Sequence, residues 1–120
     1  MRVERPWGWF EELMEAPGYK IKRLLVRSHR QLSLQRHQHR SESWTVVSSE
    51  GFLLCDETWT TALPGVMLTI PKRSIHRARG GARDLVILEV QYGEVLNEDD
   101  IERLQDDYGR VITLTPTFEA

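Results

Sequence analysis

Along the chain, short stretches rich in apolar and β-branched residues recur, some alternating weakly with polar positions. The stretches are separated by Gly, Pro, Asp or Asn, a pattern that predicts half-buried β-strands joined by tight turns. Strands are expected at residues 10–14 and, after the Ala16-Pro17-Gly18 turn, at 19–27. More are expected at 31–39 and 43–49, then a hairpin of 51–56 and 58–62 joined at Asp56-Glu57. Pro64-Gly65 marks a turn before a strand at 66–70, which Pro71 ends. Residues 76–78 lead into Gly80-Gly81, and 83–92 is the longest candidate. Only residues 97–108 depart from the β pattern. Asn97 is a suitable N-cap, acids follow it, Ile101 and Leu104 lie at i, i+3, and Gly109 follows, so a short helix is expected. Residues 112–114 could add an edge strand. The prediction is an all-β single domain, residues 1–120 with its core at about 5–110, built as a sandwich or barrel with one short C-terminal helix. A site built from neighbouring strand ends suits a small jelly roll, although periodicity alone does not separate it from other β-barrels.

The 31–39 stretch sets Ser33, Gln35, His37 and His39 on one face and Leu32 and Leu34 on the other. Histidines inside a barrel would turn those leucines outward, where the N-terminal strand or a second subunit must cover them. A homodimer is therefore expected. Trp7 and Trp9, beside Pro6 and Gly8, are read first as packing residues. On the 83–92 strand, Leu85, Ile87, Glu89 and Gln91 share a face.

Charge narrows the partners. A net charge of −2 implies no general attraction to nucleic acid or to anionic membranes. Thirteen arginines against three lysines favour a carboxylate or phosphate ligand, although surface ion pairs explain the skew almost as well. The single cysteine, Cys55, rules out an internal disulfide and reads as a strand thiol. The N-terminus lacks an apolar signal-like run and no stretch reaches membrane-spanning length, so a cytoplasmic protein is expected.

The candidate chemistry lies between Gln35 and Trp44. His37 and His39 at i, i+2 would project together, and Glu42 can return toward them. Two imidazoles and a carboxylate suit a divalent ion, with His76 as the candidate fourth ligand. The His-x-His pair alone fits a solvent-facing polar strand better. A second block of residues turns the reading toward metal.

That block is Gly65, five residues, then Pro71-Lys72-Arg73-Ser74-Ile75-His76, and with the first it resembles the paired motifs of the cupin superfamily. Arg5-Pro6-Trp7-Gly8, the run from Leu32 to Trp44, Glu89-Val90-Gln91 and the run from Glu98 to Arg110 narrow the resemblance. In order, they are similar to the C-terminal cupin domain of type II mannose-6-phosphate isomerases. The resemblance implies a double-stranded β-helix holding a metal at His37, His39, Glu42 and His76. Zinc is the first expectation, with manganese, cobalt, nickel or iron as alternatives. It also implies that Arg110, closing Tyr108-Gly109-Arg110, helps hold a sugar phosphate. Many members of the family are fused to a sugar-nucleotide guanylyltransferase, and this chain has no Gly-rich nucleotide-binding segment. The chain departs from the family at several positions. Gln38 and Ser43 stand where histidines are common, and Gly80 replaces an asparagine. Ser49, Arg73 and His29-Arg30 stand where the family has glycine or a glycine turn.

The implied activity is metal-dependent interconversion of mannose 6-phosphate and fructose 6-phosphate. Glu89 is the candidate base; an ion pair with a neighbouring arginine is the equal alternative. Lys20 and Lys22 are weaker candidates. Arg40, Arg5 and Gln91 are candidate substrate contacts, with a surface salt bridge the alternative for Arg40 and a C-terminal anchor for Arg110. A non-catalytic sugar-binding cupin and a metal-dependent oxygenase are the other function classes.

Overall fold

A computed structural model describes residues 1–109. Eleven strands form among them: β1 Arg2–Arg5, β2 Gly8–Ala16, β3 Tyr19–Val26, β4 Leu34–Arg36, β5 Ser41–Ser48 and β6 Gly51–Cys55. They continue with β7 Thr58–Ala62, β8 Met67–Ile70, β9 His76–Gly80, β10 Leu85–Tyr92 and β11 Glu102–Gln105. Two antiparallel sheets, ordered β1-β2-β3-β10-β5-β8 and β11-β4-β9-β6-β7, face each other as a jelly roll. The all-β double-stranded β-helix read from the sequence is the observed architecture. The 58–62 strand and its hairpin partner pair as expected, with Asp56 at φ 54° in the turn.

The inner faces of β3, β10 and β5 stack in layers fixed by register. Leu85 lies opposite Val26, and Ile87 lies between Leu24 and Val46. One layer further, Glu89 lies between Lys22 and Trp44. In the last, Gln91 lies between Lys20 and Glu42. All eleven of these side chains are buried. The apolar layers continue into a core with Leu53, Ala62, Ile70 and Ala78, while the polar layers open toward one end of the barrel.

Three expectations are corrected. No helix forms at 97–108. Asn97 makes a single turn, its Oδ1 accepting from the Asp99 amide at 2.9 Å and its carbonyl from the Asp100 amide at 3.0 Å. The chain then extends, and β11 pairs with β4. Two apolar positions are too narrow a face to stabilise an isolated helix, whereas the sheet edge supplies partners, including an Arg36–Glu102 ion pair at 2.7 Å. The 31–39 strand is broken: only Leu34–Arg36 is extended in the ladder, and Leu32 is buried in the core of the chain itself. The outward-leucine argument for a dimer therefore falls for Leu32, while Leu34 is half-buried. Finally, Arg2–Arg5 forms an unanticipated strand against β2, with Arg2 4.0 Å over the Trp9 ring. The expected strand at 112–114 lies outside the described residues.

Candidate metal and sugar-phosphate site

The polar end of the barrel brings His37, Glu42 and His76 together from the β4–β5 connection, β5 and β9. One ligand atom from each lies within 4.8 Å of the others, and all three residues are buried. Glu42 Oε1 lies 3.4 Å from His76 Nε2, and Glu42 Oε2 lies 3.5 Å from His37 Nε2. Both imidazoles are oriented from behind. His37 Nδ1–H donates to the Asp100 carbonyl at 2.7 Å, and His76 Nδ1–H to the Ser74 carbonyl at 2.9 Å. Each Nε2 therefore turns a lone pair into the site, the tautomer that metal-ligating histidines adopt. Burial, followed by the Arg40 charge, pushes His37 down to about 4 despite Glu42, so the ring is neutral at pH 7. Burial alone would raise Glu42. The contacts with His76, His37 and Arg40 outweigh it and hold the carboxylate well below its usual range. Glu42 Oε1 and His76 Nε2 are buried without a hydrogen-bond partner. A pre-oriented histidine pair around an ionised carboxylate, with two such atoms, fits a divalent ion.

His39 is not part of this group. After Arg36 the chain leaves the ladder and bends, so the alternation that would keep His39 in phase with His37 is lost. The amides of Gln38 and His39 both donate to the Asp100 carboxylate at 2.9 Å, and the His39 side chain is exposed. The residue in phase with His37 is Gln35, which lies opposite His76 in the β4–β9 register and lines the same cavity. The amide oxygen of Gln35 accepts from Ser33 Oγ at 3.0 Å. The alternation Ser33, Gln35, His37, His39 runs unbroken in the sequence, so it does not distinguish Gln35 from His39; the break after Arg36 does.

Arg40 is buried beside the ligands rather than on the surface. Its Nε donates to Glu42 Oε2 at 2.8 Å and its Nη2 to His37 Nε2 at 3.2 Å. Its guanidinium already satisfies one ligand nitrogen, so a metal ion must displace that contact. Glu89 accepts from Trp44 Nε1 and from Gln91 Nε2, each at 2.8 Å. Burial and then the Glu42 charge push its carboxyl up to about 7. Gln91 Oε1 is a third buried atom without a partner. Arg5 is exposed at the cavity mouth, with its guanidinium 5.2 Å from the Phe10 ring centroid. Arg110 lies outside the described residues.

The model of the family described as "Mannose-6-phosphate isomerase C-terminal" matches residues 1–106. The chain belongs to this family. The alginate biosynthesis protein AlgA of Pseudomonas putida is 41% identical over 114 residues, covering 94% of this chain and 24% of AlgA. A mannose-1-phosphate guanylyltransferase of Escherichia coli is 34% identical over 110 residues, covering 91% of this chain and 23% of that protein. The chain thus spans about a quarter of the length of these relatives. Among solved structures, a cupin-2 domain from Rhodospirillum rubrum superposes with a TM-score of 0.68 at 19% identity, covering 83% of this chain and 76% of that one. This likeness shows the cupin fold. Family and relatives connect the chain with sugar-phosphate metabolism, and no helix among the described residues is long and apolar enough to cross a membrane.

Proposed function

We propose that this domain is a metal-dependent sugar-phosphate isomerase interconverting mannose 6-phosphate and fructose 6-phosphate, acting in the cytoplasm as a homodimer. The observation that carries the reading is the convergence of His37, Glu42 and His76 beside a buried Glu89 whose carboxyl is raised toward neutrality. Gln35 is the proposed fourth donor. An ion held there, with zinc the first candidate, would polarise the sugar's carbonyl and its adjacent hydroxyl.

Glu89 takes the C2 proton of mannose 6-phosphate and returns it to C1, with the second hydroxyl proton passing from O2 to O1. A base poised near the working pH suits both transfers. Trp44 and Gln91 hold its two oxygens in place. Arg110 and Arg5 are assigned to the phosphate. Arg40 is assigned to a sugar oxygen once it has withdrawn from His37.

A specific observation favours a second reading. The Arg40 guanidinium already sits on the ligand atoms of His37 and Glu42, an arrangement that would serve a sugar-binding module with no metal. A coupled assay separates the two. The protein, loaded in turn with zinc, manganese, cobalt and nickel, is expected to convert mannose 6-phosphate with at least one of them. The His76→Ala variant is expected to lose both metal and turnover. Sugar-phosphate binding without turnover under every metal would replace the isomerase with the binding module.

A further inference from the structure

Residues 93–101 cross the polar end of the barrel without joining either sheet. None of them is buried; Leu96 and Ile101 are half-buried, and Ile101 lines the cavity beneath. Their other attachments are polar, and most are to the site. Lys20 Nζ donates to the Leu96 carbonyl at 3.2 Å, Arg40 Nη1 to the Asn97 carbonyl at 3.4 Å, and His37 Nδ1 to the Asp100 carbonyl. The tightest attachment is an ion pair of 2.6 Å between Lys22 Nζ and Glu98 Oε2.

That pair is asymmetric. The Lys22 side chain is only 4% exposed, fixed on β3 with its ammonium 4.3 Å from the Phe10 ring centroid. The Glu98 side chain is 49% exposed and sits on the crossing segment. The acid can swing into water at little cost, and the lysine cannot. A buried ammonium that loses its anion needs another. The cavity beneath the segment, lined by Lys22, Gln35, His37, Arg40, Glu89 and Glu98 among others, has a volume of about 110 Å³. Sites for small organic ligands span roughly 300–1,000 Å³. A hexose phosphate therefore does not fit beneath the segment where it lies.

Resting on the sugar-phosphate reading above, we propose that residues 93–101 form a displaceable roof whose Glu98 carboxylate holds the place of the substrate's phosphate on Lys22. The phosphate monoester takes over the ammonium, Glu98 turns out to solvent, and the cavity opens toward the ligand atoms. Lys22 is in this account a substrate-binding residue. Its charge-assisted bond to the carboxylate is exchanged for one to a phosphate oxygen, so no net charge is left unpaired inside. Loss of the Glu98 and Lys22 contacts does not detach Asp100, which still grips the Gln38 and His39 amides and can act as the hinge.

The test is calorimetric titration of the full chain with mannose 6-phosphate and, separately, with mannose. Wild type is compared with Glu98→Gln, Lys22→Met and Lys22→Arg, and folding is checked by thermal melting. Glu98→Gln removes the competing anion and should tighten mannose 6-phosphate by about tenfold, and by more than it tightens mannose, which also displaces the roof but makes no use of the freed ammonium. Lys22→Met should weaken the phosphorylated sugar by about tenfold or more and Lys22→Arg by less, while mannose is not weakened by either. If Lys22→Met fails to fold, Glu98→Gln and Lys22→Arg decide. Unchanged or weaker binding of mannose 6-phosphate by Glu98→Gln would overturn the proposal. So would equal losses for both sugars in the Lys22 variants, or no binding of the phosphorylated sugar by any form. The expected pattern without turnover would leave the roof standing and refute only the isomerase.

Discussion

The two ends of the barrel interior are made by the same three strands in the same register, yet they are opposite in chemistry. At one end β3, β10 and β5 place Val26, Leu85, Leu24, Ile87 and Val46 inward. At the other, the inward positions of those strands hold Lys22, Glu89, Trp44, Lys20, Gln91 and Glu42. Backbone alternation buries both sets alike. The apolar layers gain free energy from burial, whereas the polar layers carry desolvation costs that pairing only partly offsets. Three polar atoms at that end still lack partners, and the Glu42 charge helps raise the Glu89 carboxyl. The difference teaches that one end supports the fold and the other is maintained for a ligand, at the expense of stability.

The largest effect should come from breaking the apolar end. Ile87 is fully buried in the layer below Glu89, and Ile87→Ala should lower unfolding free energy by about 2–5 kcal/mol, read from urea denaturation. The opposite sign is expected one layer up. The Glu89 carboxyl is raised from 4.5 to about 7, chiefly by burial and then by Glu42. The native state therefore holds a proton that the unfolded chain has lost. The stability this contributes is present below pH 4.5 and lost as pH rises through about 7. Glu89→Gln has no such loss. In metal-free protein its melting temperature should match wild type near pH 4.5 and exceed it increasingly up to pH 7. The advantage, at most about 3 kcal/mol, should hold constant above that. A constant offset at all pH values would show that the Glu89 carboxyl titrates alike in the folded and unfolded chain.

The smallest effects lie in the turns. Ser49, Arg73 and His29 adopt φ of 72°, 68° and 61°, in the left-handed region where a side chain crowds the backbone. These are the positions where the sequence departs from the family's glycines. Ser49→Gly and Arg73→Gly should each raise stability by a few tenths to about 1 kcal/mol, detectable as added melting temperature, with metal content unchanged.

Legibility in the sequence followed the same physics. Tyr19–Val26, Leu85–Tyr92 and the hairpin are legible because short runs of strand-forming residues are bounded by turn residues. The face that Leu85, Ile87, Glu89 and Gln91 share in the sequence is the inward, buried one. His39 was assigned inward through a pattern that extends past the end of the strand, and the bend after Arg36 turns it outward. The bend is made by Asp100, some sixty residues away, binding two consecutive amides, and nothing local announces it. Residues 97–108 were misread because local capping signals favoured a helix. The Asp100, Glu98 and Glu102 side chains instead pair with distant Gln38, Lys22 and Arg36. Trp7 and Trp9 are buried within the chain, the packing role read for them first.

The central claim is that the polar end moves a proton between two sugar carbons. It is tested most directly by incubating the metal-loaded protein with mannose 6-phosphate in deuterium oxide and following the C2 position by proton NMR. A base that exchanges with solvent while it holds the substrate proton should wash deuterium into C2 of recovered mannose 6-phosphate, alongside formation of fructose 6-phosphate. Glu89→Gln should abolish both without releasing the metal. Saturation of the site with mannose 6-phosphate, a full complement of metal, and neither product nor deuterium at C2 would contradict the account.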